Sequence, residues 1–108
     1  MAQSAPIPGN ILVVDDTPEN LAVLTRVLKK RGHQVRPAIN GSLALKAIQS
    51  SVPDVILLDI MMPGMDGYEV CRRIKADDLT RDIPVVFISA LDEVSDKMKA
   101  FRVGGVDY

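Results

Sequence analysis

Val55-Ile56-Leu57-Leu58 is a run of four apolar residues that ends abruptly on an acid, Asp59. A run this short, with β-branched residues at its start, reads as a strand buried on both faces. Two other segments share the form: Ile11 to Val14, ending on the pair Asp15-Asp16, and Val85 to Ile88, ending on Ser89. Gln34 to Ala38 alternates in character and contains Pro37, which suits a sheet edge where a missing N–H costs no ladder bond.

Helical patterns fill the spaces between these strands. The first has Thr17 as N-cap and Pro18 at the first helical position, places Leu21, Leu24 and Leu28 on one face, and is closed by Gly32. The second runs from about Ser42 to Ser50, buries Ala44, Ala47 and Ile48, and is stopped by Pro53. A third opens with Asp66 and Glu69 at capping-box spacing and turns Val70, Cys71 and Ile74 inward. A fourth, about Asp92 to Val103, buries Val94, Met98 and Phe101 before Gly104-Gly105. Strict alternation of strands and helices predicts a doubly wound α/β fold, a parallel sheet with helices on both faces.

The bulk composition is that of one domain: 108 residues, 47% hydrophobic and 25% charged. A formal charge of -1 provides no overall basic field for nucleic acid or an anionic membrane. No apolar run reaches membrane-spanning length, and residues 1–9 read as a flexible leader without the features of a secretion signal, so a cytoplasmic location is expected. The single cysteine, Cys71, reads as a small core residue in preference to a reactive thiol.

Ligands of open parallel sheets bind beyond the carboxyl ends of the strands. The residues standing there are Asp15, Asp16, Asp59 and Ser89, and the fold brings them to one rim. Three crowded carboxylates repel unless a cation neutralises them, and their oxygen donors suit a hard divalent ion such as Mg²⁺. Zinc would call for His or Cys, whereas His33 precedes the second strand at the opposite rim. The blander reading of Asp15 and Asp16 is helix capping and dipole neutralisation, and that of Asp59 an ordinary turn residue; the turn chemistry, however, falls later, at Pro63-Gly64.

Val13-Val14-Asp15-Asp16, Leu57-Leu58-Asp59, Met62-Pro63-Gly64-Met65-Asp66-Gly67 and Ile88-Ser89-Ala90 together resemble the receiver domains of two-component response regulators. The resemblance covers residues 10–108. It implies a flavodoxin-like sheet of order 2-1-3-4(-5) and a phosphorelay function in signal transduction rather than an enzyme acting on external substrates. Asp59 would take a phosphoryl group from a sensor histidine kinase or phosphotransfer protein. Asp16 would ligate Mg²⁺ directly and Asp15 through water, with Asp59 itself and the backbone carbonyl of Met61 adding oxygens. Ser89, Ala90 and Tyr108 match the switch and phosphate-binding positions.

The chain departs from the family after Tyr108, where a phosphate-binding lysine, the rest of a fifth strand and a fifth helix would follow. The expectation is a C-terminally incomplete receiver with slow or absent labelling, which self-associates as a homodimer or swapped assembly through its uncovered side. A pseudo-receiver acting only as a protein-interaction module is the alternative. A phosphatase or phosphomutase is disfavoured, because the second acid such enzymes need two residues after the nucleophile is here Met61.

Overall fold

A computed structural model describes residues 9–88. The leader through Pro8, Ser89, Ala90, the expected fourth helix and Tyr108 lie outside the described residues. Within them the chain runs β1 (Asn10–Val14), α1 (Pro18–Lys30), β2 (Gln34–Ala38), α2 (Gly41–Ser50), β3 (Val55–Leu58), α3 (Gly67–Ala76) and β4 (Val85–Phe87). All strand pairs are parallel, and the sheet order is β2-β1-β3-β4, as the alternating pattern and the resemblance predict.

Successive side chains along each strand divide between two layers. Leu12, Val14, Ile56, Leu58, Val85 and Phe87 face α2 and α3, where they join Ala44, Ile48, Val70, Cys71 and Ile74 in the larger core. Ile11, Val13 and Val35 face α1 and pack on Leu21, with Leu24 and Leu28 partly buried beside them. The strands are less evenly covered than their apolar runs suggest. Val55, Leu57 and Val86 are only half-buried, because α1 sits over β1 and β2 while α2 and α3 cover the other face. Cys71 is fully buried, and desolvation pushes its thiol pKa up, which keeps it protonated and inert as a core residue.

The helix ends correct some details of the sequence reading. Thr17 is the α1 N-cap, but its side chain makes no cap bond; the Thr17 N–H instead donates to Asp15 Oδ1 at 2.9 Å. Asp66 does cap α3, accepting from the Glu69 N–H at 2.9 Å, whereas the Glu69 carboxylate turns outward to Arg72 and Arg73. Helix α2 starts at Gly41, one residue earlier than expected, because Asn40 accepts from the Leu43 N–H at 2.8 Å. Gly32, at φ 91°, ends α1 in the left-handed conformation that favours glycine.

Edge strand β2 is tied down from its inner side. Gln34 donates to the Gly9 carbonyl and the Ala38 carbonyl accepts from Asp15, so residues 34, 36 and 38 turn their backbone groups to β1 while Val35 and Pro37 turn theirs outward. The Arg36 side chain reaches across to α2, donating to Ala47 O at 2.8 Å and Ser51 O at 2.6 Å. It thereby supplies a positive charge at the C-terminus of a helix whose last turn carries no basic residue.

At the other end of the sheet, α3 begins against the turn after β3. The Gly67 N–H donates to the Ile60 carbonyl at 2.9 Å, and a Cβ at position 67 would collide with the backbone of Asp59 and lie 2.8 Å from Ile60 Cα. Two outcomes follow for urea unfolding. Arg36→Met should cost about 1.5–3 kcal/mol, the range for hydrogen bonds to a charged donor, with little change in m-value. Gly67→Ala should cost about 1–3 kcal/mol or more through overpacking, and should shift the backbone amide resonances of Asp59 and Ile60, whereas Gly64→Ala should cost less, since its Cβ meets open space and only the φ of 76° is strained.

Candidate phosphoacceptor and metal site

The ladder between β1 and β3 pairs Val14 with Leu58, and one further bond, from the Asp59 N–H to the Val14 carbonyl at 2.8 Å, carries the pairing past the strand end. Asp15 is anchored on the other side of β1, its N–H donating to the Ala38 carbonyl at 3.1 Å. Backbone hydrogen bonds therefore fix both acids at the carboxyl rim of the sheet, and Asp16 follows in the turn to α1.

The three carboxylates converge. Asp15, Asp16 and Asp59 each place an oxygen within 4.8 Å of the others. Asp15 and Asp59 are 5% and 9% exposed, so two of the three charges stand largely out of water. The Asp15 carboxylate is held by the Thr17 N–H on Oδ1 and by Asn20 Nδ2, at 3.5 Å, on Oδ2. Asp59 Oδ1 accepts from the Met61 N–H at 3.3 Å. Beside Asp15 lies a cleft of about 350 Å³ lined also by Asn20, Val23, Leu24 and Ile88.

The turn after Asp59 is pinned by alternation. Ile60 and Met62 are buried in the core, whereas the Met61 side chain is 74% exposed and carries no acid toward the site. Ile60 is also held through the bond from Gly67. His33 lies at the far rim, its Nδ1 accepting from the Gly9 N–H at 3.3 Å, as the strand order requires.

Of the site residues expected from sequence, the structure brings together Asp15, Asp16 and Asp59, with Met61 next to them; Ser89, Ala90 and Tyr108 lie outside the described residues. The capping role considered for Asp15 is real as well, since it accepts the first free N–H before α1. Asn20 was not anticipated. Its signal was available in the helical periodicity, which sets it one turn into α1 and on the side of the acids. Gly67 was quoted only as part of a motif, and its necessity shows only when the backbone of residues 59 and 60 is in place.

Chemically, the cluster is a donor set of three carboxylates with no nitrogen or sulfur, which suits a hard divalent cation. No helix among the described residues is long and apolar enough to cross a membrane.

Comparison with known proteins agrees with this geometry. Residues 11–108 match the model of the response regulator receiver domain. Response regulator PleD of Caulobacter vibrioides is 46% identical over 100 residues, which cover 93% of this chain but only 22% of PleD. Protein PilH of Pseudomonas aeruginosa is 41% identical over 100 residues, covering 93% of this chain and 83% of PilH. Among solved structures, the N-terminal domain of a response regulator receiver protein from Methanoculleus marisnigri superposes with a TM-score of 0.85 at 39% identity, over 93% of this chain and 81% of that one. A putative response regulator from Chloroflexus aurantiacus gives 0.88 at 35% identity, over 94% and 84%. With the acidic cluster at the carboxyl rim, the 2-1-3-4 sheet and these matches in agreement, the chain belongs to the response regulator receiver domain family.

Proposed function

We propose that this receiver takes a phosphoryl group onto Asp59 from a phosphohistidine donor, a sensor histidine kinase or phosphotransfer protein, with Mg²⁺ held by the acids beside it. The observation that carries the reading is the convergence of three carboxylates from two adjacent strand ends to within 4.8 Å. In the transfer, an Asp59 carboxylate oxygen forms the new O–P bond as the donor's N–P bond breaks, and the leaving imidazole nitrogen keeps the electron pair.

Asp16 and Asp59 would ligate the ion directly, with the Met61 carbonyl as a third protein oxygen. Asp15, whose two oxygens already accept from Thr17 and Asn20, suits a water-mediated role. When bound, Mg²⁺ supplies charge neutralisation for the transferring group. The protein's own part is orientation: the Val14–Asp59 bond and the Met61 N–H fix the nucleophile before the donor arrives. Exposed Met61 provides no general acid for turnover of an external phosphoester, which fits a residue that stores its phosphoryl group.

Ser89 and Ala90, immediately beyond β4, and Tyr108 would respond to the new oxygens. A phosphoryl group adds about two negative charges and three strong acceptors, enough to bias a two-state arrangement of that segment and so alter protein contacts. The chain spans 22% of PleD, and the signalling output of a longer protein would follow from this same switch.

Intact-mass measurement after incubation with acetyl phosphate and Mg²⁺ tests the reading. The expected result, for the protein carried on through the fifth strand with its phosphate-binding lysine, is a gain of one phosphate, absent in Asp59→Asn and absent when the metal is chelated. Asp15→Asn should weaken Mg²⁺ binding about 10–100-fold, as for residues that orient a bound ion. Labelling that persists in Asp59→Asn would refute the assignment, and metal binding without labelling at any donor concentration would select the pseudo-receiver alternative.

A further inference from the structure

A groove of about 770 Å³ runs along the side of α1 that faces edge strand β2, and none of the three clustered acids lines it. Leu21, Ala22, Pro37 and Ile39 form its apolar floor and walls, and Ile39 is 50% exposed there. Arg26, Lys29 and Lys30 line its lower half. The groove thus combines an uncovered apolar floor with three cations and no acid, a surface that binds an apolar knob carried among negative charges.

The same molecule presents such a knob elsewhere. Between α3 and β4, Leu79 is 84% exposed, the most exposed large hydrophobic residue among those described. It sits within Asp77-Asp78-Leu79-Thr80-Arg81-Asp82, with acids on both sides. The knob is also rigid. Leu79 N–H donates to Asp77 Oδ1 at 2.9 Å, and the Thr80 hydroxyl donates to Ile74 O at 2.6 Å, so the turn projects Leu79 without needing further order. Arg81 is partly neutralised by Asp78 at 3.1 Å, leaving the turn net negative.

We propose that the α1/β2 groove receives the Leu79 turn of a second copy of this chain, with the aspartates around Leu79 meeting Arg26, Lys29 and Lys30. Groove and turn are different surfaces of one molecule, so the contact is heterologous: each copy that fills a groove leaves its own groove open, and association is head-to-tail. Because both surfaces are small and rimmed by exposed charge, the complex is weak, fast and salt-sensitive. It is independent of the phosphoacceptor reading, since no residue of the acidic cluster takes part.

Sedimentation equilibrium of the full chain from micromolar to millimolar concentration tests this, with circular dichroism as a check on folding. The average mass should rise with concentration and fall at high salt. Leu79→Ser, which empties the knob, and Arg26→Gln with Lys30→Gln, which discharges the groove, should each weaken association about tenfold, the effect of losing a central contact. An equimolar mixture of the two variants retains one intact knob and one intact groove, and should form a dimer that does not extend further. Three results would overturn the proposal: a monomer at every concentration, association that survives both variants, as a contact through the exposed Val23 and Val27 of α1 would, or a mixture that fails to recover the dimer.

Discussion

The hydrogen bond between the Asp59 amide and the Val14 carbonyl, 2.8 Å long, is the constraint from which the site follows. It extends the β1–β3 ladder one residue past the apolar run, so the first polar residue of β3 is still governed by strand geometry. Parallel register has a period of two, and a slip of one residue would turn Leu58 and Val14 out of the larger core. The core therefore enforces the register, and the register sets the distance between the acids. The placement of Asp59 is a by-product of burying aliphatic side chains 44 residues apart in sequence.

Placing three carboxylates at that rim works against stability, because like charges are brought together in a partly dehydrated pocket. The structure offsets this locally. Asp15 accepts from a backbone N–H and an amide, Asp59 accepts from the Met61 N–H, and the turn beneath is held by buried Ile60 and Met62 and by Gly67. Neutral donors and packing thus contribute to ordering the site. Carboxylates crowded in this way are a donor set that a bound cation can neutralise.

The strands and the acids at their ends were legible in sequence because the deciding signals are local and strong, apolar runs of four and then an acid, whereas the strand order came only with the family resemblance. Val55–Leu58 and Gln34–Ala38 match their expected limits. What escaped was tertiary. That the Thr17 hydroxyl makes no cap bond, that Arg36 closes α2, and that Asn20 braces Asp15 depend on where a side chain lands after the elements have packed. The half-burial of Val55, Leu57 and Val86 was hidden for a related reason: an unbroken apolar run states that a residue tolerates burial, not that a helix covers it.

Pro37 gives edge strand β2 a further property. Its nitrogen faces outward, midway along the strand, where an incoming chain would seek a donor. That vacancy interrupts any ribbon of main-chain bonds that another polypeptide could lay along this flank, so the sheet resists being lengthened into fibrillar stacks from its free side. Whatever meets the molecule here must do so through side-chain shape and charge, a mode of contact that is readily reversible.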